Sequence, residues 1–174
     1  MALITIFLSK SLFSDYSVRK IIDFLLKNNI DYYLIGEDNL CVSLSNNIYN
    51  CISVKEAIER DLRAKALFVP GGLGTLKLLD NTLALSYLNS YDPIEDTIFL
   101  EREAIFLFYK LGKLYGRYVA KPINIENKLE GCIEIEEDLV KDNNLVTSSK
   151  LYNLEFVKLI EKSLLELNNY LSSV

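Results

Sequence analysis

The sequence predicts an α/β fold in which helices cover a mostly parallel sheet. Two observations predict it: short apolar runs alternate with segments of helical periodicity, and the apolar run 66–69 leads directly into Pro70-Gly71-Gly72. Alternating strands and helices form parallel sheets, because parallel strands need a crossover connection that is usually a helix. A buried strand that ends in a Gly-rich turn is typical of a strand that delivers a loop to a pocket.

The composition fits one domain over residues 1–174 and limits the classes of partner. Half of the 174 residues are hydrophobic, which is enough to bury a core without disulfides. The 19 basic and 24 acidic residues give a net charge of −5, so we expect no binding to nucleic acid or to an anionic membrane. No apolar run approaches the ~20 residues that a membrane-spanning helix needs.

The three cysteines favour a reducing compartment. Cys41, Cys51 and Cys132 are odd in number and lack the C-x-x-C spacing of a zinc site. We therefore expect a cytoplasmic protein without metal or cofactor, in which these cysteines are small buried apolar residues rather than redox groups.

The first half of the chain predicts two strands, a hairpin and two helices. Residues 1–8 are short, apolar and lack a basic leader, so they predict a strand rather than a signal peptide. Residues 17–27 have apolar side chains at helical spacing, with Asp15 or Ser17 as the candidate cap. The remaining predictions are a strand over 31–35, a hairpin of 40–44 with 49–53, and a helix over 54–64.

The second half continues the alternation without a linker or an internal repeat. The predicted elements are a helix over 75–88, a strand over 97–100, a helix over 102–111 that Gly112 ends, and a final helix over 154–170. The acid-rich run 133–138 could suggest a divalent metal. Its alternating Ile and Glu residues favour a half-buried strand with a solvated acidic face.

With the elements placed, three stretches carry a resemblance to a known family. Residues 13–18 lie where that family has F-E-D-x-E-L, residues 66–72 match its D-A-L-x-x-P-G-G, and residues 142–148 match its D-G-N-L-I-T-S. The chain resembles the DJ-1/PfpI family of the class I glutamine amidotransferase-like superfamily along essentially its whole length. The resemblance implies a flavodoxin-like three-layer sandwich and, commonly, a homodimer.

The family pattern around the nucleophilic cysteine is I-C-x-G, seven residues, Gly, three residues, Gly. Counting back from Gly112 and Gly116 places the nucleophile position at Arg102, and counting forward from Pro70 gives the same residue. Two independent counts therefore put an arginine where the family has its reactive sulfur.

The resemblance implies that the other members of the catalytic set are missing as well. Ser17 aligns with the family's pocket acid, Glu103 with a position often held by His, and Glu101 with the apolar residue before the nucleophile. A guanidinium stays protonated and cannot attack a carbonyl, and the chain contains no histidine to serve as a base. We predict no catalytic residue of the Ser-His-Asp or Cys-His type.

Two classes of function stay open at this point. One is a non-catalytic relative that binds a ligand, assembles or regulates. The other is an enzyme of altered chemistry, since relatives are described as peptidases, amidases, glyoxalases and deglycases. Ser17 could be a nucleophile only with a base beside it, so a helix cap is the favoured interpretation.

The backbone of the site predicts a place for a small anionic ligand. The amides of Gly71 and Gly72 and the N-terminus of the helix near Arg102 would present N–H donors to a carboxylate or phosphate, with Arg102 as counter-ion. The alternative is that Arg102 pairs with Glu101, Glu103 or a carboxylate of a neighbouring subunit. The 11 Tyr and 8 Phe residues leave room for an apolar dimer interface.

Overall fold

The computed structural model describes residues 1–122 and 129–174, and within them it contains a seven-stranded sheet and two small sheets. The strands are β1 (Ile4–Leu8), β2 (Ser11–Phe13), β3 (Tyr32–Gly36), β4 (Leu40–Ser43), β5 (Ile48–Asn50), β6 (Ile52–Ser53), β7 (Ala66–Val69), β8 (Thr97–Glu101), β9 (Tyr118–Ala120), β10 (Ile133–Ile135), β11 (Leu139–Asp142) and β12 (Leu145–Ser148). The helices are α1 (Tyr16–Lys27), α2 (Val54–Glu59), α3 (Leu73–Leu76), α4 (Thr82–Asn89), α5 (Glu103–Lys110) and α6 (Leu154–Ser172), with a 3₁₀ turn at Lys77–Asp80.

The seven strands of the central sheet lie in the order β11, β12, β8, β7, β1, β3, β6. All neighbours are parallel except β11, which runs antiparallel to β12 at one edge. The predicted mostly parallel sheet is therefore confirmed. The interior strand β1 is buried along its whole length, as expected for a strand with helices on both sides of the sheet.

Two apolar clusters fill the spaces on either side of this sheet. Phe7 of β1 belongs to the cluster beneath α2, α4 and α5, whereas Ile4, Ile6 and Leu8 belong to the cluster beneath α1 and α6. Successive strand residues point to opposite faces, so one strand supplies both clusters. The result is the three-layer sandwich that the sequence predicts.

Several element boundaries differ from the prediction. The helix predicted over 75–88 is broken into α3, the 3₁₀ turn and α4, because Asn81 adopts an extended backbone and its side chain accepts a hydrogen bond from Ala84 N at 3.0 Å. Asn81 is thus an N-cap that starts a new helix. The helix predicted over 54–64 ends at Glu59, and the last helix continues to Ser172.

The region around residues 40–53 contains the predicted hairpin and an additional strand. β4 and β5 pair antiparallel and are joined by β2 into a three-stranded sheet, here called the small sheet. Residues Ile52–Ser53 leave the hairpin and pair with β3 at the edge of the central sheet.

The acid-rich run 133–138 is only in part a strand. β10 pairs with β9 in a separate two-stranded sheet. Ile133 is exposed and Glu134 is half-buried, so the predicted burial of isoleucine and exposure of glutamate is wrong at this end.

Candidate functional site

The Pro70-Gly71-Gly72 turn brings three parts of the chain into close contact. A Cβ atom on Gly71 would lie 2.6 Å from the Leu151 side chain and 2.9 Å from the Glu101 carbonyl oxygen. Gly72 has a φ of +116°, and a Cβ there would overlap the Leu12 carbonyl oxygen. Both positions therefore need glycine, because backbone from β2 and β8 packs directly against the turn.

Arg102 occupies the sharp turn between β8 and α5. Its φ of 41° and ψ of −94° are unusual for a residue with a side chain, and its N–H donates to the Ser148 carbonyl oxygen at 2.8 Å. The cysteines lie elsewhere: Cys41 in β4, Cys51 between β5 and β6, and Cys132 just before β10. The strand-to-helix turn thus carries a guanidinium and no sulfur.

The side chain of Glu101, the last residue of β8, is completely buried beside this turn. Its carboxyl oxygens accept hydrogen bonds from Ser17 Oγ at 2.6 Å and from Gly71 N at 2.9 Å. Burial raises the pKa of Glu101 to about 7, although both hydrogen bonds oppose the rise. The sequence marks Glu101 as a departure from the family pattern and as a possible partner of Arg102, but not as a buried group. Its burial follows from the alternation of the strand, because Phe99, two residues earlier, lies on the side of the sheet that α1 covers.

Ser17 is not a helix cap, so that prediction is wrong. It lies in the first turn of α1 and is fully buried, and its hydroxyl donates across the sheet edge to Glu101. Asp15 is the residue at the N-cap position, but its side chain makes no capping hydrogen bond. Asp15 instead accepts from Asn47 Nδ2 at 2.8 Å and from Tyr49 OH at 2.9 Å, which ties the small sheet to the start of α1.

Glu103, the first residue of α5, is the second buried carboxylate of the site. It accepts a hydrogen bond from Gly72 N at 2.9 Å and another from Arg102 Nε at 2.6 Å. The alternative in which Arg102 pairs with Glu103 is therefore present in the structure. The amides predicted to bind an external anion already donate to carboxylates of the chain itself; binding of an external anion at Gly71, Gly72 and Arg102 stays a prediction.

A further polar group lies beside the same turn. Ser14 N donates to the Gly71 carbonyl oxygen at 2.8 Å, while the buried Ser14 hydroxyl has no hydrogen-bond partner among the described residues. In the same part of the chain, 1–122 and 129–174, no group of three or more Cys, Asp or Glu side chains has the arrangement of a metal site. Within these ranges no helix combines the length and apolar character needed to cross a membrane.

We expect Glu101→Gln to raise the free energy of unfolding at pH 8 by about 1–3 kcal/mol and to change it little at pH 5. The pKa of Glu101 is about 7 in the folded chain against 4.5 for a free side chain, so the folded state holds the proton more tightly between these values. Stability consequently falls as pH rises from about 4.5 to about 7, and the loss is complete above that range. Gln carries no charge and can still accept from Gly71 N and donate to Ser17 Oγ.

Urea denaturation at the two pH values measures this difference. Glu136→Gln is the matched control, because Glu136 is exposed and we expect no comparable pH-dependent gain there. An equal loss of stability at both pH values in Glu101→Gln would contradict the expected pH dependence and would show that an amide cannot replace this carboxyl group.

The fold is shared with solved structures, although the sequence alone gives no match: no protein-family model and no curated protein matches the chain. A cysteine-to-alanine mutant of a DJ-1 superfamily protein from Salmonella typhimurium superposes with a TM-score of 0.81 at 20% identity, covering 95% of this chain and 91% of that one. A ThiJ/PfpI domain protein from Brachyspira murdochii gives 0.78 at 13% identity over 98% and 99%. Schizosaccharomyces pombe DJ-1 gives 0.75 at 17% identity over 99% and 98%. The chain thus has the DJ-1/ThiJ/PfpI fold that the sequence resemblance predicts.

Proposed function

We propose that this chain is a non-catalytic protein with the DJ-1/PfpI fold, which acts through contacts with other molecules rather than through turnover. The observation that carries the proposal is that Glu101 and Glu103 occupy the Gly71 and Gly72 amides. Such amides stabilise a developing oxyanion in acyl-transfer enzymes only while they are unoccupied. The residue in the turn, Arg102, adds no nucleophile.

The electrostatics of the site support this proposal. Arg102 neutralises Glu103, but Glu101 has no cation within salt-bridge distance in the described residues. A second negative charge about 4 Å from an ionised Glu101 would be opposed by about 4 kcal/mol at an effective dielectric constant of 20. An oxyanion formed at Gly71 would therefore be repelled by the group that already holds this amide.

The alternative is a hydrolase or lyase of altered mechanism, of the amidase, glyoxalase or deglycase type. A carboxyl group whose pKa is about 7 is suited to acid–base catalysis, which is the feature of Glu101 that favours this alternative. Glu101 is nevertheless fully buried, and a catalytic acid or base must reach the proton it transfers.

We expect neither methylglyoxal consumption nor amide hydrolysis above the rate of a buffer blank. Arg102→Ala and Ser17→Ala should give the same background rate as the wild type, because neither side chain takes part in turnover. The measurement is a progress curve for each substrate at high protein concentration. Wild-type turnover that either substitution abolishes would contradict the proposal and favour the enzyme alternative.

A small carboxylate or phosphate is the ligand we propose for the site, bound at the exposed edge of Arg102. The Arg102 side chain is 23% exposed, and its Nε contacts Glu103, so the side chain is only partly enclosed by the protein. Glu103 competes for the same cation, which predicts weak binding in the wild type. Removing the charge of Glu103 should release the Arg102 guanidinium to a ligand, although a Gln side chain can still accept from the Gly72 amide.

We expect Glu103→Gln to increase the rise in melting temperature caused by added phosphate or small carboxylates, and Arg102→Ala to abolish that rise. A thermal-shift titration with inorganic phosphate and acetate measures the effect. Arg60→Ala is the matched control, since Arg60 is an exposed arginine paired with Glu56 on α2, away from the site. Identical shifts in all four proteins would contradict specific binding at Arg102.

We also propose a homodimer, in agreement with the sequence-based expectation. The small sheet exposes large apolar side chains, among them Leu12, Leu40 at 56% and Ile48 at 67% exposure. Exposed apolar side chains grouped on one surface are typical of protein interfaces. The cytoplasmic location stays a prediction.

Light scattering after size exclusion should give twice the chain mass of 19.9 kDa for the wild type. Ile48→Lys should shift the mass toward the monomer, because a charge would be buried in the interface. Ile94→Lys places the same charge at another exposed isoleucine and should leave the dimer intact. A monomer at high wild-type concentration would contradict the proposal, and a dimer unaffected by Ile48→Lys would place the interface elsewhere.

A further inference from the structure

The fold brings two of the three cysteines together although ten positions separate them in the chain. Cys51 N donates to the Asn39 carbonyl oxygen at 2.8 Å, so residue 51 stands opposite residue 39 in the extension of the β4–β5 hairpin. Cys41 lies two residues beyond residue 39 and points to the same side of the hairpin. Cys41 and Cys51 are therefore diagonal neighbours on one face.

Gly36, at the end of β3, has no side chain, and both cysteines pack against it. A Cβ atom on Gly36 would overlap Cys41 Sγ and would lie 3.1 Å from Cys51 Cβ. The Cys41 sulfur and the Cβ atom of Cys51 consequently border the same small volume beside the central sheet. Both are buried, and both are present as free thiols.

The two sulfur atoms have different surroundings. Cys41 Sγ lies 3.5 Å from the Asp38 carbonyl oxygen, and Cys51 Sγ lies 3.6 Å from the Tyr49 carbonyl oxygen. The neighbouring Cys51 thiol lowers the pKa of Cys41, against burial and the nearby carboxylates of Glu37 and Asp38, which raise it. The same contact raises the pKa of Cys51, so Cys41 is the thiol that ionises first.

We propose that Cys41 and Cys51 are a redox pair that a hydroperoxide converts into an intramolecular disulfide. The Cys41 thiolate attacks one peroxide oxygen, the O–O bond breaks, and the sulfur becomes a sulfenic acid while the second oxygen leaves and takes up a proton as water or alcohol. Cys51 then attacks this sulfur, the S–O bond breaks, and the leaving hydroxide takes the Cys51 proton to form water. Two thiols are oxidised by two electrons and one peroxide is reduced.

The location of the pair determines both how it reacts and what the disulfide does. Cys41 is fully buried, so the oxidant reaches it when the hairpin at the edge of the molecule opens locally. A disulfide between residues 41 and 51 closes the hairpin covalently. Asn47 and Tyr49, the residues that hold Asp15 at the start of α1, lie inside that closed loop.

The test uses the full reduced chain in two series. In the first, the protein is treated with hydrogen peroxide; in the second, it is equilibrated with glutathione buffers of increasing oxidising strength until the mass spectrum no longer changes. After acid quenching and alkylation, peptide mapping identifies linked cysteines. We expect the loss of two hydrogen atoms and a linked 41–51 peptide, reversed by dithiothreitol, with more than half of the chain linked in oxidised glutathione.

Cys132→Ser is the matched control and should form the same disulfide, because Cys132 lies near β10 and outside the pair. Cys41→Ser and Cys51→Ser should each abolish the linked peptide. The glutathione series measures the equilibrium between the dithiol and the disulfide, which does not depend on how fast an oxidant reaches the buried thiols. If Cys41 and Cys51 of the wild-type chain can still be fully alkylated in oxidised glutathione, the proposal is wrong. Links that involve Cys132, or oxidation confined to Cys132, would overturn it as well.

Discussion

The buried carboxyl group of Glu101 is the constraint on which the rest of the site depends. An ionisable group taken out of water costs several kcal/mol unless hydrogen bonds replace its hydration. Two parts of the chain supply them: the Ser17 hydroxyl from α1 and the Gly71 amide from the turn after β7. These bonds hold a helix, a strand and a glycine turn against one another. A donor that satisfies Glu101 is no longer available to a ligand, so the contact that organises the site also limits what it can bind.

The backbone at Arg102 has the strained conformation of a turn that carries a nucleophile, although Arg102 is not a nucleophile. A non-glycine residue in a sparsely populated φ/ψ region costs on the order of 1–3 kcal/mol, and the surrounding structure must impose it. Here β8 lies in register with β12, Arg102 N donates to Ser148, and α5 begins at the next residue. The backbone geometry at Arg102 therefore results from the short connection between β8 and α5. It does not require a nucleophile, and it persists around a guanidinium.

The sequence was sufficient for the architecture and for the position of Arg102, but not for the contents of the site. Strands such as β1 and β7 are mostly apolar on both faces, so they can be predicted from continuous apolar runs. The spacing of the glycines after β8 identifies the turn at Arg102. No comparable pattern in the sequence predicts which way a polar or charged side chain points. Ser17 fits a helix cap as well as a buried donor, and only the position of Glu101 across the sheet decides between them. The break at Asn81 was missed because an apolar pattern on both sides of a cap looks like one helix.

The first turn of α1 connects the small sheet with the buried carboxylates. Asp15 accepts hydrogen bonds from Asn47 and Tyr49, and these bonds lower the pKa of Asp15 although burial would raise it. Two residues later Ser17 donates to Glu101. Both contacts lie at the start of α1, so the hairpin and the buried carboxyl group are joined through residues that are two positions apart. Burial raises the pKa of Glu101, and Ser17 is one of the two donors that oppose this rise, so the start of α1 helps to set the charge of the buried carboxyl group.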